Sequence, residues 1–422
     1  DAPEGIGLQA FDRNFDEHFE VRSERIAAAL AGTLDCDDET AQRCRLLPAC
    51  KSDPPFWGLR VALLRSFLDF VYQDLRGYAA AHGIDRQYRH VCFSEPCLWC
   101  HSSTKVAHKE ATGEVQQLVP NMRVVVDRYV RPWTKGRGAG LSLVLNAGHM
   151  AALPFRTLDR VCKATVFISH CWNESFFDFV PTLEKALDPM TVVWICSFGI
   201  WQHGDIGGAL HDLESCPFAK AMHSVDNILA VTDSSAEVFD RCWCVLEAEL
   251  ARHWRKPYDI SLPNDDDATL WENVFGKLGH MDVGECHATM PEDKEAILTF
   301  ASKHDGGVQA LNCQVRALAG AALDRARHQR AAASGDATEL LELGADKLMR
   351  WRNIRGRTVS HVLAVHSHVL ALRRVLEAVD WAHLEAGDAF GQTPLSVAAE
   401  AGALASVSLL IACGAKVNAP DR

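Results

Sequence analysis

Four short apolar runs limit most tightly what this chain can fold into: TVFIS (165–169), TVVWICSF (191–198), DNILAVT (226–232) and YDISL (258–262). Each is continuously apolar instead of alternating, the pattern of strands covered on both faces. Helical spacing fills the stretches between them. Strands alternating with helices predict a parallel sheet with crossover helices, so residues 160–315 are expected to form an α/β domain of four or five strands. On the N-terminal side, 1–130 reads as mainly helical. There Leu63, Leu64, Phe67, Phe70 and Val71 fall at helical spacing within 57–83, Gly83 stands as a stop signal, and an earlier amphipathic stretch covers 16–32. The Gly-, Pro- and base-rich RPWTKGRGAGLS (131–142) reads as a loop and predicts a linker over 131–159.

At 422 residues the chain exceeds one ordinary domain. A formal charge of −12 weighs against nucleic-acid binding, which needs a basic face to neutralise phosphates. Fifteen cysteines spread over this length, with no secretory pattern at the start, read as reduced thiols of a cytoplasmic protein. No apolar run reaches the roughly 18 residues that a membrane-spanning helix needs. The chain opens at Asp1 instead of methionine, which leaves room for a preceding segment.

The C-terminal stretch GQTPLSVAAEAGALASVSLLIACGAKVNAPD (391–421) has a different texture. Its Thr393-Pro394-Leu395, Ala398-Ala399, Gly402, Leu410, Gly414-Ala415 and Val417-Asn418 stand at the spacings of the ankyrin repeat, which it strongly resembles. A degraded copy lies one period earlier, at Gly356, Thr358, His361, Ala364 and Val375-Leu376, and AAASGDATELLELGAD (331–346) resembles an atypical first repeat. The resemblance implies a solenoid of about three repeats over 325–422, with a concave surface for a protein partner. Ser396 occupies the position where the family usually has His. The chain ends just after a repeat, as expected of an array that continues in a longer protein.

VFISHCWNES (166–175) and DRCWCVLEAEL (240–250) carry the candidate site. Ser169, His170 and Trp172 follow a buried strand, and ligands of open parallel sheets bind beyond the carboxyl ends of strands. On the second stretch, helical spacing turns Trp243, Leu246 and Leu250 toward the sheet and leaves Glu247 flanking that stripe. Together, Phe167-Ile168-Ser169 and Trp243-Cys244-Val245-Leu246-Glu247 resemble the TIR (Toll/interleukin-receptor) domain family. With FFDFV, VWICSFGIWQHG and SCPFAKAM, the chain over about 160–300 is similar to a divergent TIR-like group of algal and protist proteins, often joined to ankyrin repeats.

The resemblance implies a flavodoxin-like parallel sheet with flanking helices. It also implies one of two modes of action. Many TIR domains cleave the nicotinamide–ribose bond of NAD⁺ with the glutamate of this motif, here Glu247. That bond breaks through an oxocarbenium-like state to a good leaving group, so a single carboxylate suffices. Trp172, Phe198 and Trp201 are then the expected aromatic wall for nicotinamide, and Ser169 and His170 the contacts to ribose or phosphate. In non-catalytic TIR adaptors the same Trp and Cys only pack the helix, and the domain acts by self-association and partner binding. The chain departs from the family pattern at Arg241, where Ser is usual, and in the long aromatic loop 197–208.

Cys92, Cys97, Cys100 and His101, with His90 nearby, are the donor types zinc uses. No second well-spaced pair follows and Cys100-His101 are adjacent, so they read as ordinary thiols and no cofactor is expected. TKGRGAG (134–140) lacks the Gly-Lys-Ser/Thr ending of a phosphate loop. The acidic NDDDA (264–268) reads as a loop that caps the next helix.

Overall fold

Each of the four apolar runs contains a strand in the computed structural model, which describes residues 52–81, 120–136, 138–150, 162–204, 216–233, 235–264, 266–303 and 306–418. A two-residue strand from the N-terminal stretch, β1 (Leu59–Arg60), joins β2 (Val166–Ser169), β3 (Val192–Ile195), β4 (Asn227–Val231) and β5 (Tyr258–Ser261). Their order across the sheet is β1-β3-β2-β4-β5, with β1 antiparallel to β3 and all other neighbours parallel. From β2 the chain passes first to β3 on one side and then back to β4 on the other. The topological switch point therefore lies between β2 and β4.

Strand residues alternate between two covered faces, as period two requires. Val166 and Ile168, with Val193, Ile195, Leu229 and Val231, share a core with α1 (Val61–Ala81), α2 (Leu141–Met150) and α3 (Phe176–Ala186). Phe167, Trp194, Ile228 and Ala230 face the opposite core. That core is closed by α4 (Pro217–Ser224), α5 (Cys242–His253), α6 (Ala268–His280), α7 (Pro291–Ser302) and the first part of α8 (Gly307–Ser334). The acidic run caps α6 as expected: the Asp267 carboxylate accepts the backbone N–H groups of Thr269 and Leu270.

The described N-terminal residues are built into this sheet. Leu64, Phe67 and Val71 of α1 are buried in its core, at the spacing read from the sequence. The expected linker is helical at Arg131–Thr134 and again in α2, where Leu141, Leu143 and Val144 are buried. Gly140 lets this segment close on the sheet domain, because a Cβ there would stand 2.1 Å from the Gly199 carbonyl oxygen. A turn-rich sequence therefore marks close packing here and not a spacer.

One helix ties the sheet domain to the C-terminal array. In α8 (28 residues) Leu311, Val315, Ala319 and Leu323 lie in the sheet-side core, while Ala331 and Ala332 lie in the core of the array. It runs across the boundary expected at 315–325 and ends at Gly335, whose φ of 77° is the usual left-handed stop. The array continues through α9 (Ala337–Glu342), α10 (Ala345–Arg350), α11 (Val359–Val365), α12 (Val369–Ala378), α13 (Pro394–Glu400) and α14 (Leu404–Ala412). Thr358 caps α11, and His361 Nδ1 accepts the Thr358 N–H at 3.1 Å while Nε2–H reaches Gln392 O of the next repeat at 2.9 Å. Burial holds the His361 pKa down at about 4, which keeps the neutral ring that this bridge needs. At the matching position Ser396 closes only the local cap on Thr393, and no ring extends onward.

Arg355 docks the array on the sheet domain. Its guanidinium donates to Ala186 O at 3.0 Å and Glu184 O at 3.2 Å and also to Leu187 O, capping the carbonyl end of α3. Arg355→Ala is expected to loosen this contact by about 2 kcal/mol, as charged hydrogen bonds to part-buried carbonyls are lost. Urea unfolding followed by circular dichroism reads it, as an earlier transition of the array; an unshifted single transition would show the contact to be passive. Among the described residues no helix is long and apolar enough to cross a membrane.

Candidate functional site

β2 ends in Ser169, and α5 runs alongside so that its sixth residue, Glu247, meets that strand end. Ser169 Oγ donates to Glu247 Oε2 at 2.5 Å. Both side chains are closed off, Ser169 at 0% and Glu247 at 5% exposure. Burial pushes the Glu247 carboxyl up to about 7, against the opposing pull of the Ser169 hydroxyl and of His170.

A second buried pair lies beside the first. His170 Nδ1 is 2.7 Å from Glu174 Oε1, and its Nε2 is 3.4 Å from Cys196 Sγ at the end of β3. Burial opposes charge on the ring, but the Cys196 sulfur and the Glu174 carboxylate outweigh it and hold the proton well above the usual histidine range. Burial raises Glu174 to about 7 despite the neighbouring imidazole. Cys244 Sγ reaches His170 O at 3.5 Å, and burial first, then Glu247, raises its thiol well above the ordinary value. The carboxyl ends of β2 and β3 thus carry a sealed polar cluster.

Of the residues named from the sequence, Glu247 and Ser169 are brought into direct contact and His170 stands beside them. The expected aromatic wall does not assemble. Phe198 is 0% exposed, its ring centroid 5.8 Å from Phe67 and 6.1 Å from Phe176, because the helical turn Cys196–Gly199 starts directly after β3 and folds it under α1. Trp201 donates Nε1–H to Thr134 O at 3.1 Å, which fixes it against the N-terminal helices. Trp172 is half-buried, with the Arg123 guanidinium 5.9 Å from its ring centroid.

The orientation of α5 also differs from expectation. Trp243 stacks on Phe218 at 5.2 Å and donates to Asp293 Oδ2 at 3.0 Å, so it packs on α4 and α7 instead of the sheet. Glu247 turns inward. Nine of the twelve α5 residues are buried, and a helix covered nearly all round has no single apolar stripe for periodicity to reveal.

Two concavities adjoin this region. One of about 240 Å³ lies at the ends of β2 and β4, lined by Asn173, Glu174, Asp178, Thr182, Thr232 and Asp233. The sequence reading missed it; the only available signal was that TDSSAEVF (232–239) follows a strand end. The other, about 480 Å³, is the seam between β5, α8 and the array. Its charged groups are already engaged: Arg325 with Asp259 at 2.7 Å, Arg357 with Asp388 at 3.3 Å, and Lys185 with Leu262 O. Cys92, Cys97, Cys100 and His101 lie outside the described residues.

Residues 329–421 match the family model for ankyrin repeats, in three copies. No curated protein and no solved structure matches the chain. The C-terminal array is therefore an ankyrin solenoid, which is a protein-interaction module.

Proposed function

We propose that this is a cytoplasmic interaction protein in which the ankyrin repeats take a protein partner and a TIR-like α/β domain acts without turning over NAD⁺. In this reading the described residues 52–81 and 120–130 work as one body with the domain 160–315, and 325–422 is the recognition element. The strand order β3-β2-β4-β5, that of flavodoxin-like sheets, supports the TIR-like assignment, as do Phe167-Ile168-Ser169 at the end of β2 and Trp243 to Glu247 on α5. The carrying observation is the closure of Glu247. A carboxylate that must hold ribose hydroxyls has to face the ligand, whereas this one is 5% exposed and spent on Ser169.

A second reading, NAD⁺ glycohydrolase, is favoured by one observation. The Ser169–Glu247 contact and His170 sit at strand ends, where ligands of such sheets bind, and separating the two side chains would free the carboxylate. Nicotinamide release from NAD⁺ at high protein concentration decides between them, with wild type beside Glu247→Ala. The expected result is no release above blank from either. Release by wild type that disappears in the variant would replace the scaffold with the enzyme. Self-association of the TIR-like domain belongs to the same proposal, and sedimentation of the full chain with and without NAD⁺ measures it.

A further inference from the structure

The two loops that face each other across the switch point bring together a thiol and two carboxylates. Cys171 follows β2, and Asp233 and Glu237 follow β4. The Cys171 sulfur and one oxygen from each carboxylate all lie within 4.8 Å of one another. The thiol is 1% exposed, and among the described residues it is joined in no disulfide and its sulfur has no hydrogen-bond partner. Neither carboxylate is in an ion pair among the described residues, although Glu174 adds a third acid close by. The nearby cations bond elsewhere: Arg123 to Asn173 Oδ1 at 3.0 Å and Arg241 to Thr289 at 2.9 Å. Arg123 attracts Glu237 only through space, so a buried thiol sharing this space with two carboxylates held in no ion pair among the described residues is what an ion would complete.

We propose that Cys171, Asp233 and Glu237 bind one divalent cation of zinc type. One thiolate and two carboxylates suit a borderline-soft ion better than magnesium or calcium, which take oxygen alone. Three protein ligands leave the fourth tetrahedral position open, next to the 240 Å³ cavity that Asp233 lines. Each carboxylate is already steered from behind: Asn173 Nδ2 donates to Glu237 Oε1 at 2.7 Å, Ser235 Oγ to Asp233 Oδ2 at 2.6 Å, and Glu237 N–H to Asp233 Oδ1 at 2.9 Å. Ala236 between them is left-handed (φ 54°) despite its Cβ, which turns Glu237 back toward Asp233. Tetrahedral zinc holds its ligand atoms about 3.5 Å apart, so side-chain rotations of about 1 Å close the set. As the sulfur–metal bond forms, the thiol proton leaves to solvent.

Cobalt(II) is the probe, titrated into the full chain under reducing conditions. The expected result is a near-ultraviolet thiolate-to-cobalt charge-transfer band that saturates at one equivalent and is displaced by zinc(II). It should vanish in Cys171→Ser. In Asp233→Asn, a half-exposed site that tolerates the change, the affinity should fall about tenfold or more. Circular dichroism of each variant establishes that it is folded. No band from wild type, or a band that persists unchanged in Cys171→Ser and so belongs to other cysteines, would overturn the site.

Discussion

Phe67→Ala is expected to destabilise the whole sheet domain by about 3–5 kcal/mol, although residue 67 lies far in sequence from the parallel strands β2 to β5. Its ring is fully buried and meets Tyr129, Trp133, Phe176 and Phe198 at centroid distances of 6.1, 5.7, 5.7 and 5.8 Å, all edge to face. Removing it opens a cavity where α1, the consecutive helical turns Met122–Val125, Val126–Val130 and Arg131–Thr134, α3 and the end of β3 converge. None of these can collapse inward without leaving its own strand or cap. Aromatic pairs add about 0.5–1.5 kcal/mol each beyond area burial, so the upper part of the range is expected. The measurement is the urea midpoint together with amide exchange in β3. If α1 belongs to the same cooperative unit, β3 protection falls with the midpoint. Unchanged β3 protection would make the N-terminal stretch a separate body.

Glu247→Gln should act in the opposite direction, and only above the acid range. The folded carboxyl titrates at about 7 against an ordinary value of 4.5, so the folded state holds the proton more tightly than the unfolded chain does. Its contribution is fully present below pH 4.5, declines as pH rises toward 7 and is lost above it. The gap corresponds to about 3 kcal/mol. Glutamine is neutral throughout and still accepts from Ser169. The variant should therefore match wild type near pH 4.5 and exceed it by about 3 kcal/mol at pH 8, with denaturation midpoints as the readout. His170 attracts the Glu247 carboxylate, and that pull is already contained in its value of about 7. A difference that does not change with pH would mean that the carboxylate is solvated. That outcome would also favour the NAD⁺ reading, since an open carboxylate is what a ribose needs.

Much of this architecture is legible locally. The runs at 165–169, 191–198, 226–232 and 258–262 become strands because a continuously apolar strand has to be covered on both faces. The ankyrin helices follow from small and apolar residues recurring with the period, and Asp267 caps α6 because a short acidic side chain satisfies free N–H groups at any helix start. What escaped has a common cause. β1 is two residues long, too short to carry a period, and exists only because β3 offers an edge. The Gly-rich 134–140 reads as a linker, yet Gly140 is required by the approach of Gly199, a neighbour that no local pattern names. The motif points Glu247, and aromatic character Phe198, toward a ligand, but a helical turn sends Phe198 into the core and a nearly enclosed helix turns Glu247 onto Ser169. Cys171 meets Asp233 and Glu237 only because the chain reverses its direction of winding between β3 and β4. Residue type and spacing thus determined the elements and their apolar faces, because those depend on neighbours along the chain. The order of the strands decided the site, because it alone sets which loop ends share a space.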